Sequence, residues 1–267
     1  MWALAYPVID PVILEIGPLA IRWYGLAYLT GILLGWWTMK KLCAQSPATI
    51  TADNIGDFIF WAVIGIVLGG RLGSVLFYQF DYYAQNPLQA FAIWRGGMSF
   101  HGGLLGVIIA TILFTRSRKI SLFAFGDLIA CVAPIGLFFG RIANFINGEL
   151  FGRPAPNVAW AMVFPRGGPE PRHPSQLYEA ALEGLVLFCI LMVLWRIQAI
   201  RERSGILIGV FLIGYGTART FVELFREPDA HLGFLSLGLT MGQWLSLPMI
   251  LTGVAFLVLA GRQSKKA

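Results

Sequence analysis

Leu128-Ile129-Ala130-Cys131-Val132-Ala133-Pro134-Ile135-Gly136-Leu137-Phe138-Phe139 runs directly into Gly140-Arg141-Ile142-Ala143-Asn144-Phe145-Ile146-Asn147-Gly148-Glu149. The first stretch is apolar and does not alternate, as in the body of a membrane helix. The second places an arginine, two asparagines and a glutamate within nine positions. Such groups are rare at membrane depth because stripping them of water is costly. They face a bundle interior, pair with one another or meet a polar ligand. The join between the two stretches predicts a membrane helix that carries chemistry or recognition at one end.

Composition supports this reading along the whole chain. Of 267 residues, 57% are hydrophobic and only 13% charged, and the mean hydropathy is +0.70. A soluble domain carries about 25% charged residues, so the deficit indicates a polytopic membrane protein. Lipid admits only helices or closed barrels as spanning structures. Long, unalternating apolar runs select helices. Gly 31 suits close helix packing in a bilayer. The net charge of +6 sits in short clusters at span ends, which topology explains better than nucleic-acid binding does. Cys43, Cys131 and Cys189 form no pair at metal-ligand spacing, and Cys131 and Cys189 read as small packing residues.

Seven spans are expected, at about Leu19–Met39, Phe58–Tyr78, Phe100–Phe114, Leu122–Arg141, Gln176–Trp195, Ile206–Val222 and Met241–Ala260. They make residues 1–267 one all-α, seven-helix transmembrane domain. Residues 142–175 form a small extracytoplasmic loop or cap between the fourth and fifth spans. Lysine and arginine counts orient it. One side holds Lys40, Lys41, Arg116, Arg118, Lys119, Arg196, Arg201, Arg203, Arg262, Lys265 and Lys266, and every lysine lies there. That side is expected to be cytoplasmic, so the N-terminus faces out and the C-terminus in. Arg141 to Glu149 then lie at the outer leaflet. Gly65, Gly69 and Gly73, and Gly136 and Gly140, are spaced by four and read as helix-packing positions.

Other polar groups fall at the same outer depth. His101 opens the third span after Gly96-Gly97-Met98-Ser99-Phe100. Tyr215, Arg219, Glu223 and Arg226 are spaced four, four and three, which places them on one helix face. His173-Pro174-Ser175-Gln176 opens the fifth span, with Glu179 and Glu183 on the stripe behind Gln176. Taken singly, His101 reads as a helix-end residue, Arg219 and Glu223 as an intrahelical ion pair, Arg226 as a headgroup contact, and Gln176 and Glu179 as a helix start. Arg71, among glycines, reads as a buried structural partner. Together, Arg141, Arg219, His101, Glu149 and Glu223 come from separate segments yet share one leaflet. Two arginine forks suit phosphate oxygens, a neutral imidazole accepts a proton, and a carboxylate orients either. The chain contains no HExxH, zinc cluster, GxSxG or P-loop. Metal-free and cofactor-free group transfer on a phospholipid fits better than proteolysis or ATP use. An outer-leaflet phospholipid hydrolase or headgroup transferase would use the same phosphate grip. A lipid or anion transporter would place polar groups nearer mid-membrane.

The run Gly140 to Gly152 resembles the signature of the bacterial prolipoprotein diacylglyceryl transferase family. The resemblance extends to Asp10-Pro11-Val12, Trp23-Tyr24-Gly25, Gly69-Gly70-Arg71, Gly96 to Gly103, Arg172 to Glu179, Gly214-Tyr215-Gly216, Arg219 with Glu223, and Arg226-Glu227-Pro228-Asp229. It implies a transferase of the bacterial inner membrane with its site on the periplasmic side. The implied reaction moves the diacylglyceryl group of phosphatidylglycerol onto the lipobox cysteine thiol of a prolipoprotein signal peptide, forming a thioether and releasing glycerol 1-phosphate. Matched residue by residue, the resemblance implies His101, Arg141 and Arg219 as catalytic. It implies Arg141, Asn144, Glu149, Gly152, Tyr24, Tyr215 and Glu223 as substrate-binding. In these roles the arginines grip the phosphate, and Asn144 and Glu149 orient the headgroup or an arginine. Two routes to the nucleophilic thiolate stand: His101 as base, or the arginine field lowering the thiol pKa.

Overall fold

Each of the seven expected apolar segments is helical. The computed structural model describes residues 4–7, 9–17, 19–46, 50–93, 96–228 and 233–263. Lys265 and Lys266 of the orienting charges, and Asp229 of the last quoted motif, lie outside the described residues. The main helices are α1 (Trp23–Cys43), α2 (Ala52–Gly73), α3 (Phe80–Gln85), α4 (Phe100–Arg118) and α5 (Leu122–Ile146). They are followed by α6 (Ser175–Glu179), α7 (Leu187–Arg196), α8 (Gln198–Arg201), α9 (Ile206–Val222) and α10 (Met241–Gln263). Among the described residues, five helical stretches are long and apolar enough to cross a membrane, and Ile206–Val222 is a shorter apolar helix. The 21 residues of α1 rise about 31 Å. Large apolar side chains such as Leu33, Phe60, Leu105, Ile109 and Leu251 point outward, the inverse of a water-soluble surface. The protein is an all-α polytopic membrane protein.

Several boundaries differ from expectation. The first span begins at Trp23, because residues 19–22 form a strand instead. Strand β2 (Val12–Ile16) pairs antiparallel with β3 (Leu19–Arg22), matching Val12 with Arg22 and Ile16 with Leu19. A short apolar run does not by itself distinguish strand from helix. The second span begins earlier, at Ala52, behind a capping box formed by Thr51 and Asn54. The fourth runs on to Ile146, so Arg141 and Asn144 stand on its last turns and residues 142–146 are not loop. The fifth span contains a π-helical turn, Ala180–Val186, between α6 and α7.

The chain divides into two compact units, residues 40–126 and residues 1–39 with 127–267. In the first, α2 and α4 cross backbone to backbone. A Cβ on Gly65 would meet the Gly106 carbonyl oxygen at 2.6 Å, and one on Gly73 the Gly102 Cα at 2.8 Å. Gly65, Gly69 and Gly73 are therefore packing glycines, as their spacing predicts. Gly140, by contrast, faces open space. Phe58, Phe114 and Phe125 fill the core of this unit. Arg71 is a buried structural residue, as read from sequence. Its guanidinium donates to the carbonyls of Gln89, Ala90, Ala92, Gly96 and Gly97, which ties down the segment after α3.

In the second unit α9 packs along α10, where Gly209 and Gly253 meet. Buried Asp127 of α5 accepts from the backbone N–H groups of Gly205 (2.7 Å) and Ile208 (2.8 Å). It thereby caps the N-terminus of α9 from another helix. Strand β1 (Leu4–Ala5) pairs parallel with β4 (Met162–Val163). The Tyr6 hydroxyl donates to the Phe145 and Ile146 carbonyls at the end of α5, and its ring packs with Phe145 and Phe164. The segment after α5 is thus a folded cap. Cys131 is buried, as expected, but Cys189 is exposed on the outer face of α7 and does not pack inside.

Candidate active site

The last turns of α5, the end of α9 with the turn after it, and the start of the fifth helical segment bring six ionisable side chains together in one unit. Glu179 lies at the centre. Its Oε2 stands 2.8 Å from Arg141 Nε as an ion pair without hydrogen-bond alignment. Its Oε1 accepts from Arg219 Nη1 at 2.5 Å and lies 3.8 Å from Arg226 Nε. Arg219 also pairs with Glu223 at 2.5 Å, and Glu223 with Arg226 at 3.3 Å. Glu183 completes the set, 3.4 Å from Arg141 and 4.0 Å from Arg219.

Local structure explains the convergence. The spacing of Arg219, Glu223 and Arg226 stacks them at the end of α9. Glu179 ends α6, and Glu183 follows within the π turn, so both carboxylates face inward. π-helical turns recur at functional sites, where they re-aim side chains. Glu179 and Glu183 have no exposed side-chain surface, whereas the Arg141 and Arg219 side chains keep 17% and 11%. The two carboxylates are thus fully covered, and the arginines are the more exposed members of the pairs. The set holds three arginines and three glutamates, formally neutral as a whole.

Around this cluster the expected site residues take different places. Tyr215, one turn below Arg219 on α9, faces Glu183, Arg219 and Arg141. Tyr24 packs on Tyr28 with ring centres 5.2 Å apart, and Tyr28 in turn faces Arg141. Asn144 donates to Glu149 Oε1 at 2.8 Å, and Asn147 donates to the same oxygen at 3.4 Å. Glu149 is therefore held by amides, and among the described residues it forms no ion pair with an arginine. Gly152 has a packing role. A Cβ there would stand 2.5 Å from the Phe225 carbonyl and 2.6 Å from His173 Cβ. Its backbone bridges Arg226, so Gly152 locks the cap onto the end of α9. His101 belongs to the other unit, where it is exposed in the first turn of α4 with its ring edge against Phe100.

The structure adds residues to this set. Glu179 and Glu183 join both key arginines, although in the sequence they read first as a helix start and the stripe behind it. Gln176 is fully buried and donates to the Glu149 carbonyl at 2.7 Å. Arg153 donates to the carbonyls of Arg226 (2.9 Å) and Glu223 (3.0 Å), capping α9 at its negative end. Gly242, on the first turn of α10, lies directly against the Glu223 carboxylate and Arg219 Nε. The Glu179 and Glu183 stripe was visible in the spacing. Nothing in the sequence marked Gly242, because its role is set by a helix elsewhere in the chain. In the cap, burial holds the His173 imidazole below its ordinary pKa, and its Nδ1 lies 3.1 Å from the Tyr178 hydroxyl.

Known proteins resemble the whole chain. The family described as prolipoprotein diacylglyceryl transferase matches residues 11–259. A phosphatidylglycerol--prolipoprotein diacylglyceryl transferase of Paramagnetospirillum magneticum is 62% identical over 266 residues, covering 100% of this chain and 99% of the relative. Its namesake in Rhodospirillum rubrum is 61% identical over 263 residues, covering 98% and 96%. That of Azospirillum brasilense is 59% identical over 264 residues, covering 98% of each.

Proposed function

This chain belongs to the prolipoprotein diacylglyceryl transferase family, and we propose that it transfers the diacylglyceryl group of phosphatidylglycerol to the lipobox cysteine thiol of a prolipoprotein. The observation that carries the site assignment is the ion cluster itself, in which the Glu179 and Glu183 carboxylates are fully covered while the Arg141 and Arg219 side chains keep some exposed surface. In the transfer, the bond between the glyceryl carbon and the phosphate oxygen breaks and a carbon–sulfur bond forms. Glycerol 1-phosphate leaves with one more negative charge than the diester carried. The Arg141 and Arg219 edges meet that growing charge, and Glu179 keeps both forks oriented before substrate arrives. The thiol proton is lost to water under the field of the arginines, which favours the thiolate.

The same proposal places the site at the periplasmic face of a bacterial inner membrane, in a chain that crosses seven times with its N-terminus out. Its support is the charge distribution: Lys40 and Lys41 close α1, Arg116 and Arg118 close α4, and Arg196 closes α7. Arg141 and Arg219 also stand toward the C-terminal ends of their helices, α5 and α9, which in an alternating chain run the other way.

The test mixes the purified chain with phosphatidylglycerol and a lipobox peptide. The expected result is a peptide mass gain of one diacylglyceryl group on the thiol. No gain with folded protein, or an equal gain on a Cys→Ser peptide, sinks the proposal.

A further inference from the structure

The six-residue cluster carries no net formal charge: Arg141, Arg219 and Arg226 balance Glu179, Glu183 and Glu223. At its edge Glu149 and Arg153 add one charge of each sign. A phosphodiester headgroup brings a further negative charge to this place, and an unbalanced charge away from water is costly. One carboxylate is less well compensated than the others. Glu179 has guanidinium nitrogens at 2.5 and 2.8 Å, and Glu223 has one at 2.5 Å. Glu183 has none closer than 3.4 Å, and its fully buried Oε1 has no hydrogen-bond partner. The charged and titratable groups that face it are Arg141 from α5, Glu179 from α6, and Arg219 and Tyr215 from α9.

We propose that Glu183 takes up one proton from solvent as the anionic headgroup binds, so that phosphatidylglycerol enters as a neutral pair with H⁺. The proposal rests on the reading of this cluster as the phosphatidylglycerol site. The proton goes onto the unpartnered Oε1 and no other bond changes. A neutral Glu183 loosens its hold on Arg141 Nη2, and that donor turns to a phosphate oxygen. Binding and charge balance are thereby one event. The cluster stays neutral both with and without its lipid.

Calorimetric titration of the full chain in detergent with dihexanoyl phosphatidylglycerol tests this. One linked proton makes affinity fall by about tenfold per pH unit through the range where free Glu183 is ionised. It also makes the heat of binding depend on the ionisation heat of the buffer, by about one proton per site. Glu183→Gln, which mimics the protonated side chain, is expected to bind with neither dependence. Wild-type binding that is indifferent to pH and buffer overturns the inference. So does a slope that survives unchanged in Glu183→Gln. Should that variant not fold, wild-type buffer dependence and infrared difference spectra decide. A new protonated-carboxyl band on lipid binding supports the inference, and its absence overturns it. The functional reading fails separately, and takes this inference with it, if phosphatidylglycerol binds at no pH or if dihexanoyl phosphatidylcholine binds equally well.

Discussion

Arg71 and Arg219 are both cations buried on membrane helices, and their surroundings differ in kind. Arg71 is 6% exposed and donates to five backbone carbonyls, none of which carries a charge or can move without moving the chain. Arg219 is held by the carboxylates of Glu179 and Glu223 and keeps an exposed edge. Carbonyl partners fix a segment in place. Carboxylate partners on side chains can be exchanged for another anion, such as a phosphate. A buried arginine is thus a structural staple or a ligand grip according to what accepts its protons, and the two units supply one of each.

Replacing each arginine by lysine would sharpen this contrast, since the charge stays and the planar fork is lost. Arg219→Lys is expected to lower diacylglyceryl transfer about a hundredfold while the protein accumulates and melts close to wild type. Activity assays beside thermal melts in detergent would check both halves. Full deletion is a poorer test. Arg219→Ala leaves buried carboxylates uncompensated, at about 3–5 kcal/mol, and so mixes folding with function. Arg71→Lys is expected to show the reverse pattern. A lysine has three donors for five carbonyls, so stability should fall by about 1–3 kcal/mol, with activity per folded molecule unchanged. If Arg71→Lys lost turnover at unchanged stability, the distinction between staple and grip would collapse.

A smaller effect is expected at Gly242. A Cβ there would meet the Glu223 carboxyl carbon at 2.8 Å and Arg219 Nε at 3.0 Å. These are side-chain ends that can shift, so Gly242→Ala should leave the melting temperature nearly unchanged. The shift moves the Arg219 fork, and transfer is expected to fall about tenfold. Wild-type turnover in Gly242→Ala would show that the fork does not need its present position. Arg118→Ala sets the lower end of the scale. Its pair with Asp57 is about half exposed on both sides, and such pairs contribute less than about 1 kcal/mol. Melting and activity should both stay at wild-type values.

The helical segments were legible in the sequence because hydropathy is a local property: each span must be apolar over its own length. Where local apolarity was ambiguous, the reading failed, as at Leu19–Arg22, which joins a hairpin with β2. The Arg219 and Glu223 pair was legible because helix periodicity sets them one turn apart, whereas Arg226 lies past the end of α9 and reaches Glu223 from the turn that follows. Arg141 stood out through its cost beside lipid. Glu149 was expected to orient the headgroup or an arginine; in the structure the amides of Asn144 and Asn147 hold its carboxylate. The packing of Gly152 was not legible, because only the approach of Phe225 and His173 makes its missing side chain necessary.

The sequence by itself determined the class of protein, the run of membrane helices and the family, since composition, periodicity and motif order are all written along the chain. Tertiary structure alone decided that Glu179 joins Arg141 to Arg219, whose partner positions are 38 and 40 residues away along the chain. It alone decided that Asp127 caps α9, that Gly242 abuts the ion cluster, and that the Glu179 and Glu183 carboxylates are fully buried. The physical reason is that a charge's partner, and the side of it that meets the ligand, depend on distance in space. Helix packing sets that distance, and spacing along one helix does not encode it.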